Sequence, residues 1–299
     1  MSGRTRRAPL AAWVDASAVP DAGGPGRIDW LRQVPFLLVH AGCLLVPWVG
    51  VSRQAVALAV ASYALRMFAI TGFYHRYFAH RSFRASRPVQ FAFALLGASA
   101  AQRGPLWWAS HHRHHHVHAD EPEDAHSALQ HGMLWSHLGW FMARENFAPR
   151  NDLVAGFLRY PELRFLDRWD ALVPALLCAA LWAAGGAEFV VWGFCVSTVA
   201  LYHATFSVNS IAHRLGSRRY ATRDASRNNA VLALLTFGEG WHNNHHHYPA
   251  SARQGFFWWE IDVTWYLLKA LQAVGLVHDL RPVPAAVRAA RPGAPEPAP

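Results

Sequence analysis

Apolar positions along this chain gather into paired runs. Residues 34–51 and 55–73 are two such runs, each about 18 residues long and separated by little more than "SRQ". At about 1.5 Å of rise per residue, each is near the lower limit for crossing a bilayer. The link is short enough to make the pair a helical hairpin. A second pair occupies 169–184 and 189–208, joined by "GGAE". Two further apolar stretches, 91–101 and 256–277, read as interfacial or site-covering helices, because the first is too short to span and the second carries Glu260, Asp262 and Lys269. Residues 1–33 lack periodicity and are rich in Ala, Gly, Pro and Arg, which predicts a flexible leader without a signal peptide's apolar core. Residues 281–299, rich in Pro and Ala, predict a disordered tail, leaving 34–280 as one domain.

Composition sharpens the membrane reading. Of 299 residues, 53% are hydrophobic and only 16% charged, against about 25% charged in a typical soluble domain. The net charge of +9 is carried almost wholly by arginine, Lys269 being the only lysine. No basic stretch is interleaved with a nucleic-acid motif, so an anionic headgroup or an acidic partner suits the surplus better than nucleic acid. Both hairpin links hold few basic residues, with Arg53 the exception, whereas the leader, 74–168 and 209 onward hold nearly all the rest. The positive-inside rule therefore puts those three regions in the cytoplasm. Cys43, Cys178 and Cys195 lie in apolar stretches and form no C-x-x-C pair, which makes them packing residues.

The chemistry lies in 19 histidines. "WWASHHRHHHVHADEPEDAH" (107–126) contains His112, His115 and His116, and "GEGWHNNHHHYP" contains His242, His245 and His246. Each set is H-x-x-H-H, and residues i, i+3 and i+4 share one helix face, so each can point three imidazoles at one metal or two adjacent ones. His75 and His80 in "YHRYFAH" would stand about 140° apart on a straight α-helix. The helix must end or bend there, or the pair must approach a metal from a wrapped segment. His213 in "NSIAH" is the ninth imidazole, with Asn209 one turn earlier on the same face. Nine exceed what one metal can bind, and four or five on each of two metals is the simplest division; iron, copper, zinc and nickel all accept imidazole. His111 and His114 are out of phase with their triplet and read, with His118, His126, His131, His137 and His247, as supporting or solvated residues. His203 sits in an apolar helix as either a functional or a neutral hydrogen-bonded group. Asp120, Asp124 and Glu239 either fix histidine tautomers or are solvated loop charges.

The set H-x-x-x-x-H, H-x-x-H-H, N-S-x-A-H and G-E-G-x-H-N-x-H-H, in this order around two hairpins, resembles the membrane fatty-acyl desaturases of the acyl-CoA delta-9 (stearoyl-CoA) type, in a bacterial-like form without a fused haem domain. The likeness covers roughly residues 34–260. It implies an all-α integral membrane protein with four transmembrane helices in two hairpins and a cytosolic helical cap holding a histidine-ligated diiron site, with O2 as co-substrate. One iron would take His75, His80, His112, His116 and His245; the other His115, His213, His242 and His246, with Asn209 acting through water. The implied reaction is desaturation of a long-chain saturated fatty-acyl substrate, acyl-CoA at carbons 9–10, in the bacterial inner membrane, with electrons from an external donor such as ferredoxin with its reductase. Where animal acyl-CoA enzymes carry "WARDHRAHH", Ser110 replaces an arginine assigned to the CoA phosphates. Phospholipid or acyl-carrier-protein substrates are the alternatives, as is a related hydroxylase or alkane monooxygenase. A ferritin-like diiron bundle needs two E-x-x-H motifs, and only Glu239 to His242 fits. A metal transporter needs more polar residues at the bilayer midplane than Arg66, Tyr63 and His203.

Candidate substrate contacts are Tyr63, Gln102, Trp108 and Thr205. Tyr63 lies twelve residues before His75, about 18 Å along a helix, and is the bulky exception among Ala57, Ala59, Ala61 and Ala64, so it is expected to close the acyl tunnel. Trp107, Trp108 and Trp241 read as tunnel or interface residues, and Trp258 and Trp259 as interface anchors.

Overall fold

The computed structural model describes residues 15, 16, 24 and 26–290. Its ordered elements are almost all helical; the single two-stranded ladder among the described residues, β1 (Arg84–Ala85) with β2 (Val277–His278), is antiparallel.

The first expected run is divided. Helix α1 (Val34–Cys43) stops at Leu44, and a single turn, Val46–Val49, restarts with Pro47 in its first positions. Proline has no N–H to continue the first helix but suits the start of a second. Helix α2 (Arg53–Phe68) is capped by Ser52, whose hydroxyl accepts from Ala55 N at 3.1 Å. It continues as a wider, π-type helix over Ala69–Ala79, and Arg53–Ala79 as a whole is long and apolar enough to cross a membrane. The same holds for Leu172–Ser210, which comprises α5 (Leu172–Val190), a π-type stretch (Val191–Val196) and α6 (Ser197–Ser210).

That second stretch is not one rod. Gly185 and Gly186 leave helical geometry, Gly186 at φ 65°, ψ −151°, where a side chain would be strained. A Cβ added at Gly193 would lie 3.3 Å from Leu181 Cδ1. Twelve residues of straight helix would separate them by about 18 Å, so the chain doubles back at the two glycines. The hairpin links meet: Ser52 N donates to Glu188 Oε1 at 2.7 Å, and Trp192 Nε1 to the Gly50 carbonyl at 2.9 Å. Large apolar side chains on these helices face outward, among them Leu44, Trp48, Val60 and Trp182. A continuous apolar exterior of this kind belongs against lipid or another protein rather than water.

Beyond the links' opposite end lie α3 (Arg87–Ala98), α4 (Pro105–His118), α7 (His242–His247) and α8 (Val263–Ala273). Their core contains Phe73, Tyr74, Phe78, Leu106, Leu163 and Leu166. Phe73 and Phe93 stack at 3.8 Å, and Gly97 gives Tyr74 the room to donate to the Ala94 carbonyl at 3.2 Å. Buried Arg66 ties α2 to α6 through Ser197, at 2.5 Å, and Thr198, at 2.6 Å.

Three expectations are corrected here. Residues 281–290, assigned to a disordered tail, are packed: Val287 seats against Tyr220 and Phe256, and Arg281 N donates to the Ser82 carbonyl. The end of the leader is likewise held, with Ile28 bridged to Ala143. Within 256–277 the helix is confined to α8, because Asp262 is buried as its N-cap, accepting from Trp265 N at 2.9 Å, and pairs with Arg76. The remainder of both terminal segments lies outside the described residues.

Candidate metal centre and adjoining cavity

Four chain segments deliver the nine histidines to one place. Helix α4 carries His112, His115 and His116; α7 carries His242, His245 and His246; His213 follows α6 directly. His75 and His80 are brought together by the π-type turn. His80 N donates to the His75 carbonyl at 3.1 Å, an i to i+5 bond, so His80 sits almost over His75 instead of about 140° away. The bend expected from the spacing is thus a widening of the helix.

Two groups result, each with ligand nitrogens within 4.8 Å of one another: His75, His80, His112, His116 and His245, and His115, His213, His242 and His246. In the first, Nε2 atoms approach at 2.8 Å (His80–His112), 2.9 Å (His116–His245), 3.0 Å (His75–His245) and 3.1 Å (His75–His80). In the second, His213–His242 is 3.0 Å and His115–His246 is 3.4 Å.

Carboxylates decide what these contacts mean. Nδ1 of His115 faces Asp124 at 2.9 Å, His213 faces Asp120 at 2.8 Å, His246 faces Asp224 at 2.8 Å, and His75 faces Glu239. An ionised carboxylate only accepts, so each of these protons sits on Nδ1 and each Nε2 keeps its lone pair. Lone pairs then confront one another with no proton between them, as between His115 and His246, which is unfavourable unless a cation lies at their focus. Metal–nitrogen bonds of about 2.1 Å place neighbouring donors roughly 3.0 to 3.4 Å apart in octahedral to tetrahedral geometry, close to the 2.8 to 3.4 Å found here. The donor set fits two imidazole-bound metal ions.

The electrostatics agree. Burial, then neighbouring histidines, push His80, His112, His116, His242 and His245 well below the ordinary imidazole value, and burial takes His115 to about 4. Neutral imidazoles are ligands. Burial alone would raise the carboxyls, but their histidine partners outweigh it, holding Asp124 and Asp224 well below the usual range and Asp120 at about 2. Glu239 is further fixed by Arg76 at 3.2 Å and Gln254 at 3.0 Å.

An apolar cavity of about 480 Å³ adjoins the first group; Gln102, Trp108, His112, Thr205 and Asn209 are in its wall. Trp108 stacks on His112 at 5.1 Å, and Gln102 donates to Thr205 at 2.8 Å. Tyr63, expected to close the tunnel, is not in that wall. Its hydroxyl donates to the Leu235 carbonyl at 2.6 Å and its ring meets Phe237 edge-on. The cavity runs between α1, α5 and α6, reaching Val39, Cys178 and Phe194. No residue of α2 is in that wall, so the cavity is built against other helices than the one that carries Tyr63.

Sequence reasoning missed Asp224, which no spacing ties to His246; His126, read only as a supporting or solvated residue, has its Nδ1 3.0 Å from Asp124 beside the cavity. His203 takes the bland reading: it is hydrogen-bonded to His40 at 3.2 Å and His137 at 2.9 Å. Ser110 is buried, donating to the Trp107 carbonyl at 2.9 Å.

Fold and site together define a helical metalloprotein with two adjacent all-histidine metal sites beside an apolar cavity. The chain belongs to the fatty acid desaturase family, whose model matches residues 52–288. It is 40% identical over 279 residues to an acyl-CoA 5-desaturase of Anemone leveillei, covering 89% of this chain and 86% of that one. It is 39% identical over 269 residues to an sn-2 palmitoyl-lipid 9-desaturase of Nostoc sp. (strain 36), covering 87% and 93%, and 37% identical over 262 residues to an sn-1 stearoyl-lipid 9-desaturase of Anabaena variabilis, covering 85% and 94%. The resemblance drawn from the histidine motifs is borne out at the level of family, and the protein is an oxidoreductase that desaturates fatty-acyl chains.

Proposed function

We propose that this protein is an O2-dependent desaturase of long-chain saturated acyl groups that inserts its double bond at carbons 9–10, using two irons in the bacterial inner membrane. The confrontation of carboxylate-fixed Nε2 lone pairs is the observation that carries the metal reading. His75, His80, His112, His116 and His245 would hold one iron, and His115, His213, His242 and His246 the other, with Asn209 through water. The 9-desaturases of Nostoc sp. (strain 36) and Anabaena variabilis support the position.

The bound metals supply activation of O2, with two electrons, for removal of two hydrogens from adjacent methylenes. The protein's own residues do the positioning. Trp108 braces His112. Asp120, Asp124, Asp224 and Glu239 hold imidazole tautomers and ring angles. The apolar wall excludes water and confines the chain beside the first histidine group.

Residues 34–280, joined by the packed segment 281–290, are read as one domain with four spans: the two runs on either side of Ser52 and the two on either side of Gly185–Gly186. The paired links at one end, and the histidines and arginines at the other, support a cytoplasmic catalytic face. Iron analysis of anaerobically purified protein should give about two irons per chain. Expression in cells of defined lipid content should yield a new 9–10 double bond by mass spectrometry. One iron per chain, or a hydroxylated product, would overturn this reading.

Electrons arrive, on this proposal, from an acidic carrier such as a ferredoxin. Arg214, Arg218 and Arg223 are exposed on the loop above the histidines. Arg223 Nη2 donates to the carbonyls of His116 at 2.6 Å and Val117 at 2.8 Å, and its neighbour Asp224 holds His246. A carrier docked there would stand beside both metal groups. Turnover at subsaturating ferredoxin should fall steeply with salt, and Arg218→Glu with Arg223→Glu should raise the KM for ferredoxin several-fold.

A further inference from the structure

We propose that the acyl chain enters the cavity sideways from the bilayer, still esterified to a glycerolipid, through a slot between the first two turns of α1 and α5. This rests on the desaturase reading and names the form in which the substrate arrives.

The slot is defined by residues that belong to two surfaces at once. Pro35 and Leu38 of α1 and Ala175 of α5 are in the cavity wall. All three are also exposed, Leu38 at 63%, and they sit beside Leu37, Leu172 and Leu176, which are exposed and lie outside the cavity wall. Where wall residues and outward-facing residues alternate along the same two helices, the cavity comes nearest the exterior. Pro35 and Leu38 are one turn apart on one helix face; Ala171, Ala175 and Cys178, also in the wall, form the facing stripe. The opening therefore runs along the helix axes and is flanked by small or unbranched contacts.

What lies outside is apolar. Leu37, Leu172 and Leu176 are 45%, 41% and 60% exposed around the opening, as lipid-facing side chains are. Val34 and Leu172 start their helices at the histidine-bearing end, so the slot occupies roughly the first 10 Å of each helix. That is the depth at which a bilayer changes from headgroup to hydrocarbon, where acyl esters lie. Buried Gln33, in the wall one residue before α1, supplies an amide at that level for an ester carbonyl.

The charges at the mouth suit an ester better than a nucleotide thioester. Arg103 pairs with Asp170 at 3.2 Å; Arg32 and Arg144 pair with Asp29 at 3.8 and 3.6 Å. Arg32 and Arg103 also sandwich Phe147 at 3.7 and 3.6 Å. Three guanidiniums against two carboxylates leave about one positive charge among the described residues here. The pyrophosphate and ribose phosphate of coenzyme A carry several negative charges and call for unpaired cations in bidentate geometry. Position 110 offers none, being a buried serine.

The test uses iron-loaded full-length protein with reduced ferredoxin in vesicles of isotopically labelled dipalmitoyl phosphatidylglycerol, with differently labelled palmitoyl-CoA added. Intact lipids and thioesters are analysed separately by mass spectrometry at early times. The double bond should form first in intact phospholipid, at least tenfold faster than in the thioester. Ala175→Trp should cut the lipid rate at least tenfold at unchanged iron content, and Ala175→Ser should restore it. Faster desaturation of palmitoyl-CoA, or full lipid turnover by iron-loaded Ala175→Trp, would overturn sideways entry and leave the desaturase reading standing. Failure of both substrates in a protein with two irons and a reduced donor would instead overturn the desaturase reading and this inference with it.

Discussion

Replacing His242 or His115 with alanine should abolish metal binding at its group and lower desaturation by at least about a hundredfold, with iron and activity lost together. Each is buried, and each projects Nε2 into the second histidine group, His242 at 3.0 Å from His213 and His115 at 3.4 Å from His246. With only four imidazoles there, loss of one leaves three, a larger deficit than loss of an outer partner, which typically costs 10- to 100-fold. His114→Ala is the control. His114 lies on the other side of α4, its ring tilted against His118 with centroids 4.7 Å apart, and should keep both iron and most activity. Iron content and turnover measured on the same samples check this; a His114 variant as damaged as His115→Ala would show that α4 presents a different face.

Asp224→Asn should weaken iron retention about 10- to 100-fold while the protein remains folded. The Asp224 carboxylate accepts from His246 Nδ1 at 2.8 Å and from Ser226 N at 2.9 Å. An amide can keep the Ser226 bond through its oxygen, but it holds no charge against the imidazole and can turn its NH2 toward Nδ1, favouring the wrong tautomer. Competition against a chelator measures the effect directly. Asp120→Asn and Asp124→Asn should act in the same sense. Iron retention equal to that of the unaltered protein would mean that Asp224 only shapes its loop.

The legible part of this protein was the part written in local spacing. H-x-x-H-H puts three side chains on one face of any α-helix, so the grouping of His112, His115 and His116 could be read before their surroundings were known. The glycines of "GGAE" announced a reversal because only glycine enters the conformation of Gly186 at no cost. His75 and His80 were half legible: the mismatch with a 3.6-residue period was visible, but not that an i to i+5 turn would resolve it. Asp120, Asp124 and Glu239 could be noticed without a decision between tautomer holding and solvation, since that choice depends on which imidazole lies within 3 Å.

Sequence alone determined the class of chemistry, the paired apolar runs and the nine imidazoles, because each depends on residue type and on periodicity within one helix. Tertiary structure decided how the nine divide into five and four, which carboxylates set their tautomers, and where the apolar cavity runs. Asp224 reaches His246 from a separate loop, Tyr63 bonds the Leu235 carbonyl on a helix that contributes nothing to the cavity wall, and Pro35 and Ala175 share that wall only because two distant segments come together. Such facts depend on helix rotation and on contacts between residues far apart in the chain, which local periodicity does not encode.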